Sequence, residues 1–173
     1  MVTFRRLATD SAGAAIAEAA AILPILFMVL MAIYSFGRAY NIYSTINRAA
    51  QEGAAVAARS NCGSCGNQLT TPVDVFNAVS IVMQGSRIDV GGIASNALSP
   101  APPACDPNLA SSHDTQANID IYRNVQLNVG STGPPICGAI VTFTYPYQLV
   151  VPFTSVNFST VTLTAAAERQ MEN

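Results

Sequence analysis

From Ala14 to Phe36 the chain runs through 23 residues whose only charge is Glu18. As an α-helix this stretch measures ~35 Å at ~1.5 Å per residue, enough to cross a hydrocarbon core of ~30 Å. A single membrane span over 14–36 is therefore the first expectation. Arg5 and Arg6 precede the run and Arg38 follows it. Positive charge ahead of a first span favours a cytoplasmic N-terminus, which puts everything after Gly37 on the far side. A cleaved secretory signal fits less well. The apolar run is longer than a usual signal core, Glu18 interrupts its beginning, and "YSFGRAY" is a poor cleavage site.

The remaining chain is long enough for one domain of ordinary size beyond the anchor. Half of the residues are apolar, only 10% are charged, and the formal net charge is −2. All eight cations are Arg and none of them cluster, which argues against nucleic acid as a partner.

Four cysteines, Cys62, Cys65, Cys105 and Cys137, lie beyond the span, where the compartment is expected to be oxidising. Structural disulfides are the default, with three connectivities open. "CGSC" at 62–65 is also compatible with half a zinc site or a redox pair. Zinc would need a second such pair or a nearby His, and the single His113 reads as isolated in a loop. A redox pair should open a helix after a strand, whereas this segment follows a helix. Neither a metal nor a cofactor is expected.

The pattern divides the chain into a leader (1–13), the span (14–36), an amphipathic continuation of the same helix (37–59) and an α+β domain (60–173). In the continuation Ala39, Ile42, Ile46, Ala49, Gly53 and Val56 recur at spacings of three and four. The small residues there, Gly53 among them, suit close packing. Thr71 and Pro72 read as the N-cap and first residue of a second helix that ends at Gly85. Strands are expected at Ser86–Val90, Ile119–Val129, Cys137–Val151 and Val161–Ala167, the last two as an antiparallel pair. Pro146 pushes its strand toward an edge or a bulge. Residues 95–118 read as a long irregular loop tacked down by Cys105. The layout is a long N-terminal helix against a small, mostly antiparallel sheet.

Gly13 followed five residues later by Glu18, at the mouth of an apolar helix, resembles the processing site of type IV prepilins. The resemblance implies that a prepilin peptidase cuts between Gly13 and Ala14, leaving Ala14 as the new N-terminus and Glu18 as the fifth residue. A freed α-amine, with a reference pKa of ~7.7–8.0, is largely cationic at neutral pH. Glu18, one turn along, is then a natural partner for that amine or for a neighbouring subunit's. Such pairing offsets much of the cost of a lone carboxylate in low dielectric.

The stretch Ala15–Ala58 further resembles the N-terminal region of TadE-like proteins, minor pseudopilins of the tight-adherence (Tad, or Flp pilus) machinery. Glu18, Leu23–Pro24, Gly37–Arg38 and "AAQEGA" at 49–54 carry the likeness, and "VTLTAAAERQMEN" is similar to the family's final strand and charged end. Ala19, where an aromatic is common, and Ala55, where Arg is common, depart from it. Pro24 lacks the N–H that would bond the Ala20 carbonyl, so a kink is expected in the span. Gly37–Arg38 marks the outer membrane boundary, with Arg38 at headgroup level.

No catalytic arrangement stands out: there is one His, no glycine-rich phosphate loop, and Asp74, Asp89, Asp106, Asp114 and Asp120 read as scattered. The expectation is a structural part, not an enzyme, with no small-molecule substrate. The resemblance implies a bacterial inner-membrane pseudopilin whose partners are the prepilin peptidase, other pilins and the Tad machinery. The competing expectation is an unprocessed, single-pass anchored module that binds an envelope partner.

Overall fold

The computed structural model describes residues 11–59, 70–105, 111–148 and 160–171. Helix α1 (Ser11–Ala57) is followed by helix α2 (Pro72–Gly85), a single 3-10 turn at Val90–Gly92, and four strands. The strands are β1 (Ser112–Gln116), β2 (Ile119–Gln126), β3 (Cys137–Tyr147) and β4 (Val161–Gln170). They form one antiparallel sheet in the order β1-β2-β3-β4. The α+β expectation holds.

Helix α2 starts where its sequence dictates. Thr71 accepts from the Asp74 N–H while the Asp74 carboxylate accepts from the Thr71 N–H, a reciprocal capping box with Pro72 at the first helical position. At the other end the Ile88 N–H bonds the Met83 carbonyl and the Arg87 N–H bonds the Gln84 carbonyl. This is a Schellman closure, with Arg87 in the left-handed region at φ 57°.

The two helices cover one face of the sheet. Ile46, Ala49, Ala50, Ala54 and Ala57 of α1 and Val75, Val79 and Met83 of α2 form one buried cluster with Ile119, Ile121, Ala139, Val141, Phe143 and Ala165. Alanines on both α1 and β4 keep the layers close. The stripe expected over 39–56 faces this core: Ile46, Ala49 and Gly53 are buried, Ala39, Ile42 and Val56 half-buried. The opposite face of the sheet is covered by the segment between the 3-10 turn and Cys105. There Tyr122, Val125 and Ile140 pack with Leu98 and Leu127. Tyr122 and Val125 share that face because a bulge at Asn124, φ 54°, shifts the register between them.

Three expectations are corrected. Ser86–Val90 is not a strand, because its backbone groups close α2 and Asp89 caps the 3-10 turn by accepting from the Gly91 N–H at 3.0 Å. Residues 95–118 are not wholly irregular, since β1 pairs with β2 through a two-residue turn, Ala117–Asn118, with φ 48° and 64°. Helix α1 is already helical at Ser11, the first described residue, so it extends ahead of the expected start at Ala14. Pro146 sits in an internal strand, but only at its end. The ladder to β2 stops at Thr142, and alternate residues share a side, so the Pro146 nitrogen points the way the Thr144 N–H points toward Ala94. The ladder to β4 is left intact.

Candidate functional site

The exposed half of α1 is the most unusual surface among the described residues. Ile16, Ile22, Leu23, Ile25, Leu26, Phe27, Met28, Val29, Leu30, Ile33 and Tyr34 are all exposed, on every side of the helix. A helix apolar all round is a buried element or a membrane span. This one has a window of mean hydropathy 2.5 that is 0% buried, and it is the one helix long and apolar enough to cross a membrane among the described residues. Ser35 is the first buried position along it. The stretch 15–34 ahead of it, exposed but for half-buried Met31, is thus ~30 Å long, the thickness of a hydrocarbon core.

Gly13 and Ala14 both lie within α1, with Gly13 exposed. Glu18 is exposed one turn further on and has no hydrogen bond or ion pair among the described residues. Ala14 and Glu18 are four residues apart in one helix and so share a face. Helix α1 continues through Pro24 as a single element. Its missing N–H leaves the Ala20 carbonyl without the usual helical donor.

Further along α1, Gly37 and Arg38 line an open cleft with Tyr34, Asn41, Ile42 and the Ser86–Ile88 turn after α2. No atom lies within 4 Å of where a Gly37 side chain would begin. Gly53 is the opposite case: a Cβ there would fall 2.8 Å from Val79 Cγ2 and 3.4 Å from Val141 Cγ1. Gly53 lets α2 and the sheet close on α1.

Cys105 and Cys137 form a disulfide with a Cα–Cα distance of 5.3 Å, tying the segment over the second sheet face to the start of β3. The expected tacking role of Cys105 is met. Cys62 and Cys65 lie outside the described residues.

A polar cluster that the sequence reading does not anticipate sits under that segment. Asp120, 1% exposed, accepts from Ser95 Oγ at 2.5 Å, the Asn96 N–H at 2.7 Å and Thr115 Oγ1 at 2.9 Å, and pairs with His113 Nε2 at 3.1 Å. Burial pushes the Asp120 carboxyl up, but the hydrogen bonds from Ser95, Thr115, His113 and Asn96 together hold it below its ordinary value. His113 is on β1, not isolated in a loop. It stacks on Tyr122 with ring centroids 4.3 Å apart, and the Tyr122 hydroxyl accepts from the Leu98 N–H. On the helix side of the hairpin, buried Arg123 donates to Asp114 at 2.8 Å and to the Thr70 carbonyl at 3.0 Å. Burial draws the Arg123 pKa down, with Asp114 opposing. Asp114 and Asp120 lie on opposite faces of the hairpin, each with its own partners, and form no metal-type group among the described residues. They are the two anchor points of the β1–β2 hairpin, and both Asp120 oxygens are already engaged. The signal in the sequence is alternation: Asp120 lies between Ile119 and Ile121, so it faces away from the helices.

Among known families, the model described as TadE-like protein matches residues 13–55. No curated protein and no solved structure matches the chain. The matched segment covers Gly13, Glu18, Pro24, Gly37, Arg38 and Gly53, and ends before the sheet and its cysteines.

Proposed function

We propose that this chain, with a TadE-like segment over residues 13–55, is a minor pseudopilin of a Tad or Flp-type pilus or secretion apparatus. In this reading a prepilin peptidase removes Met1–Gly13 on the cytoplasmic face. Helix α1 anchors the product in the inner membrane with its sheet domain outside, and later leaves the bilayer sideways into a bundle of like helices. The role is structural, without a catalytic centre.

The observation that carries the reading is the exposed apolar run 15–34 on the same unbroken helix that anchors the sheet domain. One rod both holds the domain and offers an apolar surface on every side. Glu18 supports it, since it has no partner among the described residues and lies one turn from the residue that cleavage would make the N-terminus.

Co-expression with a prepilin peptidase tests the reading: the expected result is a mass loss corresponding to Met1–Gly13, abolished by Gly13→Ala. An unprocessed anchored module, binding an envelope partner, is the second reading. It is favoured by the helical backbone over Ser11–Ala14, which puts the Gly13–Ala14 bond inside a helix that a protease would have to unwind. Intact Met1 on the membrane-bound protein would select it.

A further inference from the structure

We propose that Arg38 of α1 and Arg87, just past the end of α2, form a binding site for the phosphate group of an anionic phospholipid. The two guanidinium-bearing residues come from elements 49 positions apart in the chain, yet both line one open cleft of about 520 Å³. No carboxylate lines this cleft, and neither Arg has an ion-pair or hydrogen-bond partner among the described residues. Two arginines lining one cleft, neither paired among the described residues, supply the charge that a phosphate group needs, and a guanidinium can grip phosphate bidentately.

The position of the cleft names the source of that phosphate. It opens at the base of the sheet domain, where α1 passes from exposed to packed: Tyr34 is exposed, Ser35 is the first buried position, Phe36 is the last residue of the apolar run, and Arg38 follows two residues later. On the reading that residues 15–34 span a bilayer, on which this inference rests, the cleft lies at headgroup level. Tyr34, in its lining, is a residue type enriched at that depth.

The backbone at Arg87 points the same way. Arg87 occupies the left-handed position of the Schellman closure of α2, at φ 57°. Glycine is the usual residue there because any side chain costs stability. Arg87 thus keeps a charged side chain at a place where local folding would favour none. The turn that holds it is fixed on its far side by Ile88, which is buried in the same cluster as Met83.

This geometry supplies an informative variant. Arg87→Gly removes the charge while putting the preferred residue into the turn, so failure to fold does not confuse its result. The full-length protein in a neutral detergent is titrated with phosphatidylglycerol or phosphatidylcholine, and bound lipid is counted by native mass spectrometry. Wild type is expected to prefer phosphatidylglycerol, and Arg38→Gln or Arg87→Gly should each cut that preference about five-fold. The thermal midpoint of Arg87→Gly should stay level or rise. Arg48→Gln, on α1 outside the cleft, should keep the full preference. The proposal is overturned if Arg87→Gly binds phosphatidylglycerol as wild type does, or if Arg48→Gln loses as much. It is equally overturned if millimolar inorganic phosphate stabilises the lipid-free protein through the same two arginines while no lipid is preferred. Release of wild type from membranes by alkaline carbonate would instead refute the span itself, an outcome separate from the lipid titration.

Discussion

Gly53 of α1 faces Val79 of α2 at a separation where a Cβ on the first would lie 2.8 Å from Cγ2 of the second. Val141 from β3 and Val75 from α2 close the remaining sides at 3.4 and 3.6 Å. These neighbours are β-branched and stiff at χ1, so they cannot swing aside cheaply. Replacing a mid-helix Gly by Ala ordinarily gains up to ~1 kcal/mol in helix propensity. Here overpacking, typically ~1–3 kcal/mol, should exceed that gain. Gly53→Ala is expected to lower stability, and Gly53→Leu to prevent α2 from docking. In a double-mutant cycle by denaturant unfolding, Val79→Ala should relieve part of the Gly53→Ala cost. Simple additivity of the two would show that the contact does not limit packing.

The Asp120 cluster makes an acid-sensitive prediction. Hydrogen bonds hold this carboxyl below its usual 3.8, against the opposing effect of burial. A depressed folded-state pKa means the unfolded chain binds the proton more readily, so the charge contributes stability above pH ~4 and loses it as pH falls through the folded value. Thermal midpoints measured between pH 7 and pH 2.5 should therefore drop below about pH 4. Asp120→Asn keeps an acceptor and should flatten part of that drop. Asp120→Ala removes the acceptor of the half-buried Asn96 N–H as well as of the Ser95 and Thr115 hydroxyls and should cost more, ~1–3 kcal/mol in all. Equal costs for the two variants would argue against a hydrogen-bonding role.

The Ala117–Asn118 turn predicts a gain instead. Both residues have positive φ, 48° and 64°, as a two-residue primed turn demands. Asn118 suits its place and also donates to the Ile93 carbonyl at 3.0 Å. Ala117 carries a Cβ in a region that glycine enters freely. Ala117→Gly should raise stability by up to ~1 kcal/mol, whereas Asn118→Ala should lower it. Urea midpoints of the two variants moving in the same direction would contradict this account of the turn.

What the sequence discloses follows from where its signals are local. Helix α2 is legible because Thr71, Pro72 and Asp74 are a contiguous start signal. The β3–β4 pair is legible from alternation, and the packing stripe of α1 from a period of three and four. Strand β1 is not: its "SHDTQ" has no apolar alternation, and it is held by side chains of β2, namely Asp120 and Arg123, through the register His113↔Tyr122 and Thr115↔Asp120. Ser86–Val90 misleads for the converse reason. Ile88 and Val90 alternate with Arg87 and Asp89 as a strand would, but hydrogen bonds to Met83 and Gln84 claim the backbone first. Of the functional surface, Gly13, Glu18 and the apolar run are readable one residue at a time. The shared cleft of Arg38 and Arg87, like the pairing of His113 with Asp120, exists only once the chain has folded.

Glu18 gives the prediction that bears most directly on function. It is exposed, partnerless among the described residues, and four residues from Ala14 on one helix face. On processing, the α-amine of Ala14 would come within reach of Glu18 or of the same residue in a neighbouring subunit. In a dry bundle each charge alone is costly, and the pair much less so. On the proposed reading the charge matters after cleavage and not before it. Glu18→Ala should be cut by a prepilin peptidase at close to the wild-type rate and insert into the membrane at least as well. Glu18→Gln should behave alike, since it keeps the shape without the charge. Both should fail to co-purify with the assembled apparatus, as read by crosslinking in membranes and N-terminal mass spectrometry of each fraction. Recovery of either variant in assemblies at wild-type yield would show that Glu18 merely reaches for the headgroups from the end of its helix.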